Sequence, residues 1–173
     1  MNENSPLTSD EFQVFIERIN TWFNEQLTNN PILASVEEDL DFAPAQHIWH
    51  ARILGEEKES SMLNVTLKQR MLHYETYLMP GPEENHSDFW EYMLRKNRRL
   101  IGVTLCIGEE DSVFLVGAIP VSTVTEDELD RILGTCWMAI EECFKPGLRI
   151  GSVSYTHLRA HETREDRGGR GGG

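Results

Sequence analysis

The chain has 173 residues, the length of a single domain, and its 39% hydrophobic and 26% charged content is enough for one packed core and too apolar for a disordered chain. Sixteen basic residues against 29 acidic ones leave a formal charge of −13. A net polyanion gains nothing from releasing the counterions of DNA or RNA, and anionic membrane surfaces repel it, so neither is an expected partner.

No stretch approaches the roughly 20 apolar residues of a membrane span. The opening MNENSPLTSDEF lacks the basic and apolar pattern of a signal peptide. Three cysteines (Cys106, Cys136 and Cys143) without framework spacing suit reduced thiols. Composition therefore predicts an acidic, soluble protein of the cytoplasm.

The first element is a helix. Thr8-Ser9-Asp10-Glu11 has the form of a capping box, and Phe12, Phe15, Ile16, Ile19, Trp22, Phe23 and Leu27 follow at helical spacing until Asn29-Asn30-Pro31. Residues 31–45, acidic and with two prolines, read as a connector. Strands are expected at Ile48–Leu54, Met62–Lys68 and Arg70–Met79, the last two alternating in polarity and all joined by short hairpin-like turns. A second helix is expected from Ser87 or Asp88 to Asn97, with Phe89, Trp90, Met93 and Leu94 on its buried side. Strands at Gly102–Ile107 and Ser112–Ile119 flank the turn Gly108–Asp111. The contiguous Phe114-Leu115-Val116 predicts cover on both faces. A third helix opens with the capping pattern Thr125–Glu128, buries Leu129, Ile132, Leu133, Cys136, Ala139, Ile140, Cys143 and Phe144, and is expected to end at Pro146-Gly147.

The order α-βββ-α-ββ-α predicts an α+β fold, a five-stranded antiparallel sheet with its helices mainly on one face. Composition breaks near Gly151: the last 21 residues hold 4 of the 16 basic residues, 5 of the 13 glycines and 2 of the 6 histidines. An RGG-type RNA-binding tail, or a metal pair at His157 and His161, would require that segment to be native. However, Val153 to Thr163, VSYTHLRAHET, resembles the translation of a sequencing adapter. Residues 1–152 are therefore read as a single domain, with 12 basic and 26 acidic residues (a net −14) and a truncated C-terminus. Residues 153–173 are read as a non-native, disordered tail.

The segments Arg70–Tyr77 (RMLHYETY) with Pro80–Asn85, Tyr92–Leu100 (YMLRKNRRL), Asp111–Pro120 (DSVFLVGAIP) and Glu126–Gly134 (EDELDRILG) resemble the YbjN family, bacterial sensory-transduction-regulator-like proteins, and in particular its actinobacterial branch. The resemblance covers most of residues 45–151. It implies a type III secretion chaperone-like fold, a small acidic homodimer and the binding of partner segments. It brings no catalytic motif.

Candidate chemistry is sparse. His47 and His50 lie three apart on a strand, which directs them to opposite faces and away from one metal ion. Cys136 and Cys143 share the apolar face of their helix and read as core thiols, and Cys106 has no basic neighbour in sequence to activate it. Glu83, Glu84 and His86, with Arg52 or Arg70, compose the alternative reading, a small-ligand or enzymatic site. Their place before a helix is accounted for by the helix dipole. Glu109-Glu110-Asp111 lacks the spacing of a calcium loop, phosphate-cradling glycine motifs are absent, and Lys96-x-Arg98-Arg99 suits a helix C-terminus.

Aromatic side chains carry the remaining signal. Core packing accounts for most of Trp49, Tyr74, Tyr77, Phe89, Trp90 and Phe114, and the rest are candidates for a dimer contact or a partner groove. The resulting expectation is a non-enzymatic protein-binding or regulatory module, a homodimer without cofactor, catalytic residue or metal. Its candidate partner-binding or dimer surface is Trp49, Tyr74, Tyr77, Phe89, Trp90 and Met93. Its acidic charge predicts a basic or amphipathic partner segment.

Overall fold

The computed structural model describes residues 5–39 and 46–152, so the expectations for 153–173 fall outside the described residues. The elements are α1 (Ser9–Asn29), β1 (Leu33–Asp39), β2 (His47–Leu54), β3 (Ser60–Leu67), β4 (Met71–Met79), α2 (His86–Asn97), β5 (Thr104–Ile107), β6 (Val113–Pro120) and α3 (Glu126–Gly151). The six strands form one antiparallel sheet in the order β1-β2-β3-β4-β6-β5.

The expected five strands are therefore six. β1 lies inside the segment read as a connector, because LASVEED is an edge strand with a single fully buried side chain, Leu33, and acidic residues along the rest. Charge on an exposed edge is how sheets discourage pairing with other chains, and in sequence it looks like a loop.

Helix α1 begins at the expected capping box. Thr8 Oγ1 accepts from the Glu11 N–H and the Glu11 carboxylate accepts from the Thr8 N–H. Its stripe of Phe15, Ile16, Ile19, Trp22 and Phe23 is buried, and the Phe23 ring lies 6.2 Å from that of Trp49 on β2. Two long-range bonds fasten α1 to α3 and the turn before it: Trp22 Nε1 donates to Asp130 at 2.8 Å, and Arg18 donates to the Val124 carbonyl at 2.9 Å.

All three helices pack on one face of the sheet, the face of Trp49, Ala51, Ile53, Leu63, Val65, Leu67, Leu72, Tyr74, Leu78, Leu105 and Leu115. Each large apolar side chain removed from water there contributes about 1.5–3 kcal/mol. Gly117 on β6 allows the Tyr74 ring to lie across the strand, since a Cβ at 117 would sit 2.3 Å from that ring. The Tyr74 hydroxyl then donates to the Gly102 carbonyl at 2.6 Å.

Two further expectations are corrected. Helix α3 does not stop at Pro146-Gly147 but runs through them to Gly151. Gly147 is buried against Met79 and Met93, and Gly151 is buried against Phe89 and Pro82. The Gly151 carbonyl also accepts from the Glu83 and Glu84 N–H groups at 2.6 and 3.1 Å. Tertiary contacts hold the last turn in place although Pro146 removes one of its backbone donors. Nor is β6 covered on both faces. Leu115 is buried under the helices, while Phe114 and Val116 are half-buried on the opposite side.

Candidate functional site

The helix-free face of the sheet shows one apolar row. Tyr77 on β4 pairs with Phe114 on β6, and Phe114 pairs with Cys106 on β5. Met62 on β3, one residue before the Leu63–Thr76 pair, continues the row away from β5. Tyr77 is 42% exposed and Met62 45%, while Phe114 and Cys106 are half-buried. The Tyr77 and Phe114 rings meet edge to face at 5.6 Å. Lys58, whose Nζ donates to the Tyr77 and Leu78 carbonyls at 2.9 and 3.0 Å, stands 5.1 Å from the Tyr77 ring centre. Burial pulls its amine down to about 8.

At Cys106 the row reaches a groove of about 220 Å³ between α2 and β5. Trp90, Met93 and Leu94 line one wall, and Leu105, Cys106 and Ile107 line the other. Leu94, expected on the buried side of α2, is 73% exposed, and Ile107 is 57% exposed. The helix turns about 100° per residue. Phe89 and Met93 therefore point into the core, and Trp90 and Leu94, one position further round, face the groove.

Asn97 closes one end, its side-chain amide bonded to both backbone groups of Leu105. Arg98 and Arg99, exposed and without an ion pair among the described residues, line a separate depression with Tyr92, Arg95 and Lys96. Arg95 and Lys96 pair instead with Glu91 and Glu142, both at 3.3 Å. Ile107 marks the opposite end and leads into the exposed acidic turn Glu109–Asp111.

Of the six residues proposed for a partner or dimer surface, the structure buries Trp49, Tyr74, Phe89 and Met93 in the core. Tyr77 and Trp90 alone keep substantial exposure, on the open row and the groove respectively. Sequence reasoning missed Met62, Leu94 and Ile107. The signal for Leu94 was its offset by one position from the stripe through Phe89 and Met93.

The residues of the enzymatic alternative do not converge. Glu83, Glu84 and His86 are exposed on the loop before α2 and at its first turn, Arg52 is exposed on the open face of β2, and Arg70 is exposed in the turn before β4. The two histidines do part to opposite faces. His47 lies 2.8 Å from Glu38 on the helix side, and His50 lies 2.6 Å from Asn64 Oδ1 on the open side. Burial pushes the Cys136 thiol up to about 12 and the Cys143 thiol up to about 11, as suits core positions. The Cys106 thiol is also raised, by burial and then by the charge of Glu75. None of the helices among the described residues is long and apolar enough to cross a membrane.

Residues 66–146 match the family model YbjN, described as a putative bacterial sensory transduction regulator. An uncharacterised protein of Mycobacterium leprae is 30% identical over 97 residues, which are 56% of this chain and 53% of that protein. A Mycobacterium tuberculosis counterpart is 31% identical over the same length and the same shares. The chain thus spans about half the length of the curated relatives it matches. Among solved structures, a chain of the HopA1–SchA chaperone–effector complex aligns with a TM-score of 0.49 and 11% identity, covering 79% of this chain and 97% of that one.

Proposed function

From the match of residues 66–146 to the YbjN family model, we propose that this chain is a non-enzymatic regulatory module of the cytoplasm that works by binding polypeptides. Residues 1–152 form its single domain, and residues 153–173 are an addition foreign to it. One observation carries the reading: an apolar row, Met62-Tyr77-Phe114-Cys106, runs across the helix-free face into an apolar groove beside α2. Large apolar surface left open beside a well-packed core is the mark of an interaction site.

In this reading the open row is the contact between two copies of the chain, and the groove receives a partner's amphipathic segment. Tyr77 and Phe114 form its centre, since aromatic side chains bury much area at little entropic cost. The solvent-facing positions of Glu83, Glu84 and His86 favour binding over catalysis.

Sedimentation velocity of the full chain across a wide concentration range tests the dimer. A wild-type dimer that becomes a monomer in Tyr77→Asp supports it. A wild-type protein that stays monomeric at the highest concentration removes it.

A further inference from the structure

The last turn of α2 and the residues after it gather positive charge in an otherwise acidic chain. Four of the twelve Lys and Arg residues within residues 1–152, Arg95, Lys96, Arg98 and Arg99, fall within five positions. With Tyr92 they line one open depression of about 380 Å³. Glu91 pairs with Arg95 and Glu142 with Lys96, both at 3.3 Å. Four cations against two carboxylates leave two positive charges there.

Those two charges belong to Arg98 and Arg99. Both side chains are exposed, and neither guanidinium makes a hydrogen bond, ion pair or ring contact among the described residues. Capping α2 does not employ them. The Arg95 carbonyl already accepts from the Arg98 N–H at 3.2 Å, and the Lys96 carbonyl accepts from the Arg99 and Leu100 N–H groups at 2.9 and 3.2 Å. Two rigid forks of N–H donors thus border one hollow without an acceptor.

We propose that this depression binds the phosphate monoester of a small molecule, its phosphate held by Arg98 and Arg99 and its organic part laid on the Tyr92 ring. The site is separate from the apolar row and from the groove, so it goes beyond the polypeptide-binding reading and is tested independently of it.

The donors select the anion. A carboxylate offers two oxygens and is filled by one arginine fork, whereas the free oxygens of a phosphate monoester serve two. Its charge of about −1.5 to −2 at pH 7 matches the excess of two. The volume calls for more than the bare ion, since about 380 Å³ falls within the roughly 300–1,000 Å³ of small-molecule sites. Tyr92 supplies the ring wall: it is half-buried, and its phenol is raised by burial first and then by Cys143 and Glu142, so it stays neutral beside an anion at pH 7. A nucleic acid is disfavoured because salt confines the field of these cations to about 8 Å. A long polyanion would run from the depression onto a chain whose net charge is −13.

Titration of the full-length chain with phenyl phosphate, followed by calorimetry and amide NMR signals, tests the proposal. Benzenesulfonate, of similar shape with a single charge, and inorganic phosphate, which lacks the ring, are the comparisons. Phenyl phosphate should bind saturably at one site, shift the amides of Tyr92, Lys96, Arg98 and Arg99, and bind about tenfold more tightly than either comparison. Arg98→Gln and Arg99→Gln should each weaken it about tenfold, the size of one lost charge-assisted contact. Both positions are exposed, and an unchanged amide dispersion verifies the fold of each variant. Arg70→Gln, outside the depression, should leave binding unchanged.

No binding of phenyl phosphate, or binding that survives loss of both Arg98 and Arg99, would overturn the site. Equal affinity for benzenesulfonate would overturn the choice of phosphate, and equal affinity for inorganic phosphate would overturn the Tyr92 contact. A phosphoserine peptide that binds tenfold more tightly than phenyl phosphate would place the phosphate on a polypeptide and overturn the small-molecule ligand. The dimer test at Tyr77 judges the polypeptide-binding reading separately.

Discussion

Asn97 completes the free edge of β5 as a neighbouring strand would: its Nδ2 donates to the Leu105 carbonyl at 3.1 Å and its Oδ1 accepts from the Leu105 N–H at 2.7 Å. One side chain from α2 thereby fixes the width of the groove and shields an exposed strand edge from other chains.

Replacing Asn97 with Ala leaves both Leu105 groups to water or to another polypeptide. The expected cost is about 1–3 kcal/mol in chemical denaturation, with increased concentration-dependent association in light scattering. Unchanged stability and unchanged association would mean that the amide contact is incidental.

Thiol accessibility follows from the positions of the three cysteines. Cys106 is half-buried at the end of the open row, whereas Cys136 and Cys143 are buried in α3 with thiols raised to about 12 and about 11. A disulfide reagent at pH 8 should modify Cys106 in the native protein and reach the other two only on unfolding. Rapid native modification of all three would contradict the packing of α3 described above.

Lys58 gives stability a pH signature. Its amine is lowered by burial from 10.5 to about 8 in the folded chain. Between those values the unfolded chain holds more protons, so this residue's contribution rises with pH through that window and is lost as pH falls through about 8. Raised phenols such as Tyr74 act in the opposite sense at high pH. The test is therefore the difference between wild type and Lys58→Gln. Relative to the variant, the wild type should gain stability as pH is raised from 7 to 10. A difference that is flat with pH would show that Lys58 ionises as in water.

Ser61 faces the core, and its hydroxyl has no hydrogen-bond partner among the described residues. Ser61→Ala removes a buried, unsatisfied polar group and should stabilise the fold by about 1 kcal/mol. Destabilisation would reveal a partner for that hydroxyl.

Much of this architecture is legible in the sequence, for local reasons. The capping box Thr8–Glu11 and the stripe from Phe15 to Phe23 set α1 through short-range chemistry and periodicity. The alternation of β3 and β4 marks their buried faces directly. What escaped depends on neighbours distant in the chain. β1 is recognisable only beside β2, because its acidic residues follow the needs of an edge and supply no apolar alternation. The last turn of α3 depends on Met79, Met93 and Phe89 accepting two glycines. The groove is illegible for a related reason. In sequence Leu94 looks as buried as Met93, and only the docking of α2 beside β5 separates a core side chain from an exposed one.

A photo-reactive phenylalanine derivative placed at position 94, with position 17 on the exposed side of α1 as the control, most directly tests polypeptide binding at the α2 surface. In cells expressing the full chain, irradiation should yield a discrete polypeptide adduct from position 94 and only background from position 17. Equal labelling at the two positions, or no polypeptide adduct at 94, would contradict it.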